Sequence, residues 1–197
     1  MTYDAEKRHR RSIRLKGYDY SQAGAYFLTI CTYDRACLLG EIIECEMRPN
    51  EFGSVVHDYW YELSSHFPHV ELDAFVLMPN HVHGIIVIID TVNTVGAQHA
   101  AAPLRRGITP NNVVPGSLGA IVRSFKSAVT KRINEMRQTF SVPVWQRNYY
   151  EHIIRNEHDR NCIREYILYN PLRWQFDRDN PDGIPDQTEK EFWKNFE

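Results

Sequence analysis

The sequence predicts an α+β domain with a split β-α-β-β-α-β layout and one further helix at its end. Three observations lead there. Short runs rich in aromatic and β-branched residues alternate with two longer stretches whose apolar residues recur every three or four positions. Two of the runs meet back to back at Pro79-Asn80, a turn signal that makes them an antiparallel hairpin. A third helical pattern opens at Asn156, after the last run.

Taken in order, residues 1–20 read as a flexible basic arm, and the domain proper as residues 21–175. Ala25 to Thr32 (AYFLTICT) is the first strand. Leu38 to Cys45 is a second short strand or an irregular turn. Asn50 then caps a helix in which Val55, Val56, Tyr59, Trp60 and Leu63 form the apolar stripe, ending near His66-Phe67-Pro68. Val70 to Met78 and His81 to Ile89 are the hairpin strands, expected at or near the centre of the sheet. Residues 90–115, with Gly96, Pro103, Gly107, Pro110 and Pro115, form a long flexible loop. Ser117 to Met136 is an amphipathic helix through Leu118, Ile121, Val122, Phe125, Val129 and Ile133. Val142 to Ile154 reads as a strand entered through Pro143. The last helix runs from Asn156 to about Asn170, where Pro171 discourages continuation. Both earlier helices should lie on one face of the antiparallel sheet, the arrangement of ferredoxin-like folds. Residues 176–197 are an acidic tail.

At 197 residues, with 43% hydrophobic and 24% charged residues, the chain has the size and balance of one soluble domain. No apolar run is long enough to span a bilayer, and the charged N-terminus has no secretory h-region. Cys31, Cys37, Cys45 and Cys162 lack CxxC spacing and read as reduced thiols of a cytoplasmic protein. The net charge of −2 hides an asymmetry. Basic residues gather in the N-terminal arm, Arg11 and Arg14 among them, and between Arg123 and Arg173, whereas the tail is acidic. Clustered Lys and Arg are a footprint of phosphate binding, though many such residues are simply solvated helix faces.

The most informative motif is His81-Val82-His83. In a strand, residues two apart share a face, so Val82, Ile86 and Ile88 look into the core while both imidazoles look to the other side. That pair suits one divalent ion; the alternative is two histidines on a wet sheet face. On the last helix Tyr166 and Asn170 are four apart and share a face, which sets a phenolic and an amide oxygen side by side. An ion held by imidazoles and an amide oxygen keeps positions open for a phosphate oxygen. Tyrosine needs such help, because a phenol with its ordinary pKa of about 10 is a poor nucleophile at neutral pH. Among eleven tyrosines, Tyr149, Tyr150 and Tyr169 rival Tyr166 on chemistry alone. His152 shares a strand face with Tyr150, near the metal, near a DNA phosphate, or as a structural hydrogen-bonding residue. Trp145 and Trp174 suit stacking on bases, but buried core is the better reading for both.

The ordered set MPNHVHGIIVI, WQRNYYEHIIRN and REYILYNPLRW, with the opening RRSIRLKGYDYSQAGAYFLTICTYDR, resembles the single-tyrosine HUH transposases, and most of all the REP-associated tyrosine transposases. The resemblance covers roughly residues 10–175. It implies that His81 and His83 are metal ligands, that Asn170 is the third ligand, that Tyr166 is the nucleophile, and that the ion is Mg²⁺ or Mn²⁺. It implies transesterification on single-stranded DNA at palindromic hairpins: Tyr166 forms a 5′-phosphotyrosine link, frees a 3′-OH, and the strand is later rejoined. The expected partner is therefore a DNA hairpin, not a membrane, and the place a bacterial cytoplasm, associated with the nucleoid when bound to DNA. Arg11, Arg14, Arg123, Lys126 and Arg147, with His152, are the candidate DNA contacts. A monomer is the preferred state, with a dimer left open. Two other readings remain: a non-catalytic hairpin-binding protein derived from a transposase, and a water-using metal nuclease.

Overall fold

The strand that carries the two histidines is buried along almost its whole length, and the rest of the fold follows from covering both its faces. The structure, a computed structural model, describes residues 18–90 and 114–196. Its elements are β1 (Gly24–Cys31), β2 (Gly40–Ile43), β3 (Glu46–Pro49), α1 (Glu51–Tyr61), α2 (Leu63–His66), β4 (Val70–Leu77), β5 (His81–Ile88), α3 (Leu118–Met136), β6 (Tyr150–Ile154), α4 (Glu157–Tyr169) and α5 (Gln187–Phe196). The basic arm with Arg11 and Arg14, and most of the 90–115 loop, lie outside the described residues.

Four strands form one antiparallel sheet in the order β4-β5-β1-β6. The expected α+β class and antiparallel sheet are present. In the hairpin, β5 is interior as expected, but β4 is an edge strand. Alternation along β1 and β5 then builds two cores. Tyr26, Leu28 and Ile30 from β1 and Val82, Ile86 and Ile88 from β5 pack with Val56 and Trp60 of α1 and with Ile121, Phe125 and Val129 of α3. Gly84 makes room for Trp60: a Cβ there would sit 2.3 Å from the indole. Both helices are capped, by Asn50 accepting from the Phe52 and Gly53 amides and by Ser117 accepting from that of Ala120.

The opposite face is not wet. Phe27 and Ile85 are covered by Ile163 and Ile167 of α4 and by Trp193 of α5. The Asn156 side chain caps α4 by accepting from the Asp159 amide at 2.9 Å. Asp73, at an irregularity of β4, clamps α4 to the sheet edge through Arg160 at 2.6 Å and Arg164 at 2.8 Å.

Three local expectations change. Residues 38–49 form a separate hairpin, β2–β3, whose two-residue turn has positive φ at Glu44 and Cys45. The expected strand at 142–154 shortens to Tyr150–Ile154, because β6 pairs only with Ala25–Thr29. Upstream, the chain runs irregularly beside the end of β1, bridging Thr32 through Trp145. The acidic stretch after Trp174 folds back: Asp177, Asp179 and Glu189 are buried, and α5 lies on the sheet. None of the described helices is long and apolar enough to cross a membrane.

Candidate active site

Buried histidines need partners, and these have them. Asn80 donates its amide to the carbonyls of Arg35 (3.0 Å) and Asp179 (2.7 Å), which turns its Oδ1 toward His81 Nδ1 at 2.8 Å. An amide oxygen only accepts, so the His81 proton sits on Nδ1 and Nε2 is left bare. On β1, directly opposite His83, Thr29 sets Oγ1 2.9 Å from His83 Nδ1. With the proton on that nitrogen and donated to Thr29, His83 Nε2 is bare as well. The two Nε2 atoms are 3.0 Å apart. Burial, then the repulsion that a charge on His81 would exert and that of the Arg178 guanidinium, hold His83 well below the usual histidine value, which favours the neutral ring a ligand must be.

The third group comes from the stretch that the sequence reading set aside as a tail. Asp177 is buried, and its Oδ2 lies 3.5 Å from His81 Nε2. That oxygen accepts no hydrogen bond, as expected if Nε2 carries no proton. Asp177 Oδ1 accepts from the Asp179 amide at 2.6 Å, and Arg35 pairs with Asp179 at 2.9 Å. Segment 177–179 is thus pinned to the Asn80 turn from both sides. Among the described residues, His81, His83 and Asp177 form a buried group able to hold a metal ion, their ligand atoms all within 4.8 Å of one another.

These residues fit a divalent ion. With both Nε2 atoms unprotonated, three acceptors face one another in a buried space, an arrangement that a positive charge between them would satisfy. Asn170, the ligand expected from sequence, is also buried, and its Oδ1 meets no hydrogen-bond partner among the described residues.

Tyr166 stands beside this group. Its ring centroid is 5.2 Å from that of His83, and it stacks on Phe192 at 3.8 Å. Its hydroxyl donates to Glu189 Oε1 at 3.1 Å. The same oxygen accepts from Trp193 Nε1 at 2.7 Å and from the Arg178 amide at 3.4 Å. Burial, followed by the charges of Asp177 and Glu189, pushes the phenol well above its ordinary value. Burial also raises Glu189, against the opposing effect of its hydrogen bonds. A groove of about 560 Å³ opens on this pair, lined among others by His152, Arg155, Tyr169 and Arg173.

The other sequence candidates are placed differently. His152 lines the groove with Tyr166. Arg123 and Lys126 belong to α3, on the far side of the sheet from the histidines. The Lys126 ammonium donates to the carbonyls of Gln146 (2.6 Å) and Arg147 (3.2 Å), so it braces the irregular stretch before β6. Arg123 and Arg147 are exposed. Sequence reasoning passed over Asn80, Asp177 and Glu189. The available signals were an Asn just before the first histidine and an aromatic pair, Phe192-Trp193, standing in an otherwise acidic run.

The chain is 45% identical over 176 residues to an uncharacterized protein of Haemophilus influenzae, covering 89% of this chain and 96% of that one. At this level the two belong to one family. A second Haemophilus influenzae protein, described as a putative REP-associated tyrosine transposase, is 27% identical over 79% of this chain and 74% of its own. The fold is that of a solved REP-associated tyrosine transposase bound to a REP hairpin, with a TM-score of 0.55 and 18% identity, covering 82% of this chain and 74% of the other. The chain is similar, in sequence and in fold, to REP-associated tyrosine transposases. No family model matches it.

Proposed function

We propose that this transposase relative is a metal-dependent transesterase that nicks and rejoins single-stranded DNA at palindromic hairpins through a covalent 5′-phosphotyrosine on Tyr166. Kinship to REP-associated tyrosine transposases supports DNA processing of the transposase type, and the hairpin held by the solved relative supports that substrate class. The observation that carries the reading is one constellation: His81, His83 and Asp177 within ligand distance of one another, with Tyr166 packed against His83 and opening on a groove.

His81, His83 and Asp177 would hold Mg²⁺ or Mn²⁺, with the unpartnered Oδ1 of Asn170 as a further ligand oxygen. When bound, the ion supplies Lewis-acid polarisation of a phosphodiester. Asn80 and Thr29 orient the two imidazoles, and Asn80 also fixes the tautomer of His81. Phe192 and Trp193 shield the Tyr166 ring from water, while the groove gives DNA an approach beside it. Arg155 and Arg173, both lining that groove, offer positive charge to a phosphate backbone.

Tyr166→Phe tests the reading. The expected outcome is that wild type forms a covalent protein–DNA adduct on denaturing gels in Mn²⁺, and that the variant loses it while keeping hairpin binding. An adduct that persists in Tyr166→Phe assigns the nucleophile elsewhere. Cleavage by wild type without any adduct supports a water-using nuclease, and hairpin binding without cleavage supports a non-catalytic binder.

A further inference from the structure

We propose that Glu189 is the general base of the reaction, accepting the phenolic proton of Tyr166 as the tyrosine oxygen attacks the phosphate. This rests on the reading of Tyr166 as the nucleophile. The Tyr166 hydroxyl already donates to Glu189 Oε1 at 3.1 Å, within the distance a proton transfer requires. The carboxylate is held on that spot by Trp193 Nε1 at 2.7 Å and the Arg178 amide at 3.4 Å, both on the same oxygen. Glu189 and Tyr166 line one groove, so a phosphodiester that reaches the phenol meets the pair together. Two other nearby groups are committed. Asp177 turns one oxygen toward His81 and uses the other to accept from the Asp179 amide. His83 faces Thr29 with one nitrogen and His81 with the other.

In the forward step the Tyr166 Oη–phosphorus bond forms and the phosphorus–O3′ bond breaks. The phenolic proton passes to Glu189, and the departing 3′-oxygen takes up a proton from water. Glu189 then releases its proton to solvent through the groove, so the step is neutral overall. In rejoining, a DNA 3′-OH attacks phosphorus and loses its proton to water, while Glu189, reprotonated from solvent, returns a proton to Tyr166.

The test is Glu189→Gln, which keeps an oxygen acceptor for Trp193 and Arg178 and removes the basicity. The probe is a labelled library of single-stranded palindromic hairpins with randomised flanks, in Mn²⁺. Adduct formation by E189Q is expected to fall by about 10²–10⁴-fold with hairpin binding unchanged. A fluorinated tyrosine at position 166, whose phenol ionises without help, is expected to restore E189Q by at least about tenfold and to change wild type little. Glu189→Asp, which keeps the charge but withdraws it by one methylene, should fall between wild type and E189Q; a rate below that of E189Q overturns the proposal. So does an E189Q adduct rate equal to wild type, or no rescue by the fluorinated residue, which marks a structural carboxylate. A faster E189Q also overturns it and marks Glu189 as a restraint on Tyr166. If wild type cuts without any adduct, the nucleophile reading fails first and this role with it.

Discussion

The two faces of the sheet share strands β1 and β5 but differ in kind. One face is a continuous apolar core in which α1 and α3 interlock with Tyr26, Leu28, Val82 and Ile86. The other carries a smaller apolar cluster around Phe27 and Ile85, and beside it buried His81, His83, Asp177, Asn170 and Glu189. A single residue step along β5, from Val82 to His83, moves from one regime to the other. The comparison teaches that stability and chemistry are separated by the pleat: the apolar face holds the sheet in place, and the opposite face depends on polar partners and carries a buried group able to hold an ion.

Four experiments break or sharpen that contrast, from the largest effect down. Phe125→Ala removes a ring packed against Trp60 and Trp145 on the apolar face. It should destabilise the fold by about 3–5 kcal/mol in chemical denaturation while leaving metal affinity unchanged. A weakened metal site would show that the two faces are coupled. On the other face, Mn²⁺ at about one hundred times its dissociation constant should stabilise the protein by about 2.7 kcal/mol, read as a rise in Tm reversed by chelator. An Asp177→Asn protein showing the same rise would remove Asp177 from the ligand set.

Asn80→Ala deletes the acceptor that fixes the His81 tautomer and frees the carbonyls of Arg35 and Asp179. Metal affinity by calorimetry should fall by about 10–100-fold, as for other groups that orient a ligand. Unaltered affinity would mean that the strand alone orients His81. The smallest effect is expected at Asp73. Burial alone would raise its carboxyl, yet hydrogen bonds and charge from Arg164 and Arg160 hold it below the ordinary value. A depressed carboxylate adds stability that is fully present above the unfolded pKa and is lost as pH falls through the folded one. Asp73→Asn should therefore cost about 1–2 kcal/mol near neutrality, since Arg164 is partly exposed, and should flatten the loss of stability below about pH 4.

Much of this was legible along the chain. The start of the last helix followed from Asn156, whose side chain can satisfy a free amide, and that cap is observed; Asn50 and Ser117 cap the two earlier helices in the same way. Period-two alternation placed Val82, Ile86 and Ile88 in the core and turned His81 and His83 together. The irregular course of residues 142–149, expected as strand, was not legible, because its backbone partners lie on another element and Lys126 braces it from α3. Nor was Asp177: within an acidic run nothing local separates a buried ligand from solvated carboxylates.

The sequence by itself determined the spacing of the two imidazoles, the pairing of Tyr166 with Asn170 on one helical turn, and the apolar stripes that assemble the sheet. These are properties of periodicity, and periodicity is written locally. Tertiary structure alone decided that residues 177–195 fold back over the histidines, that Asp177 rather than another acid meets His81, and that Glu189 accepts the Tyr166 hydroxyl. The physical reason is burial. A carboxylate acquires a role when it is taken from water and set against particular donors, and which one is taken depends on where the chain turns back.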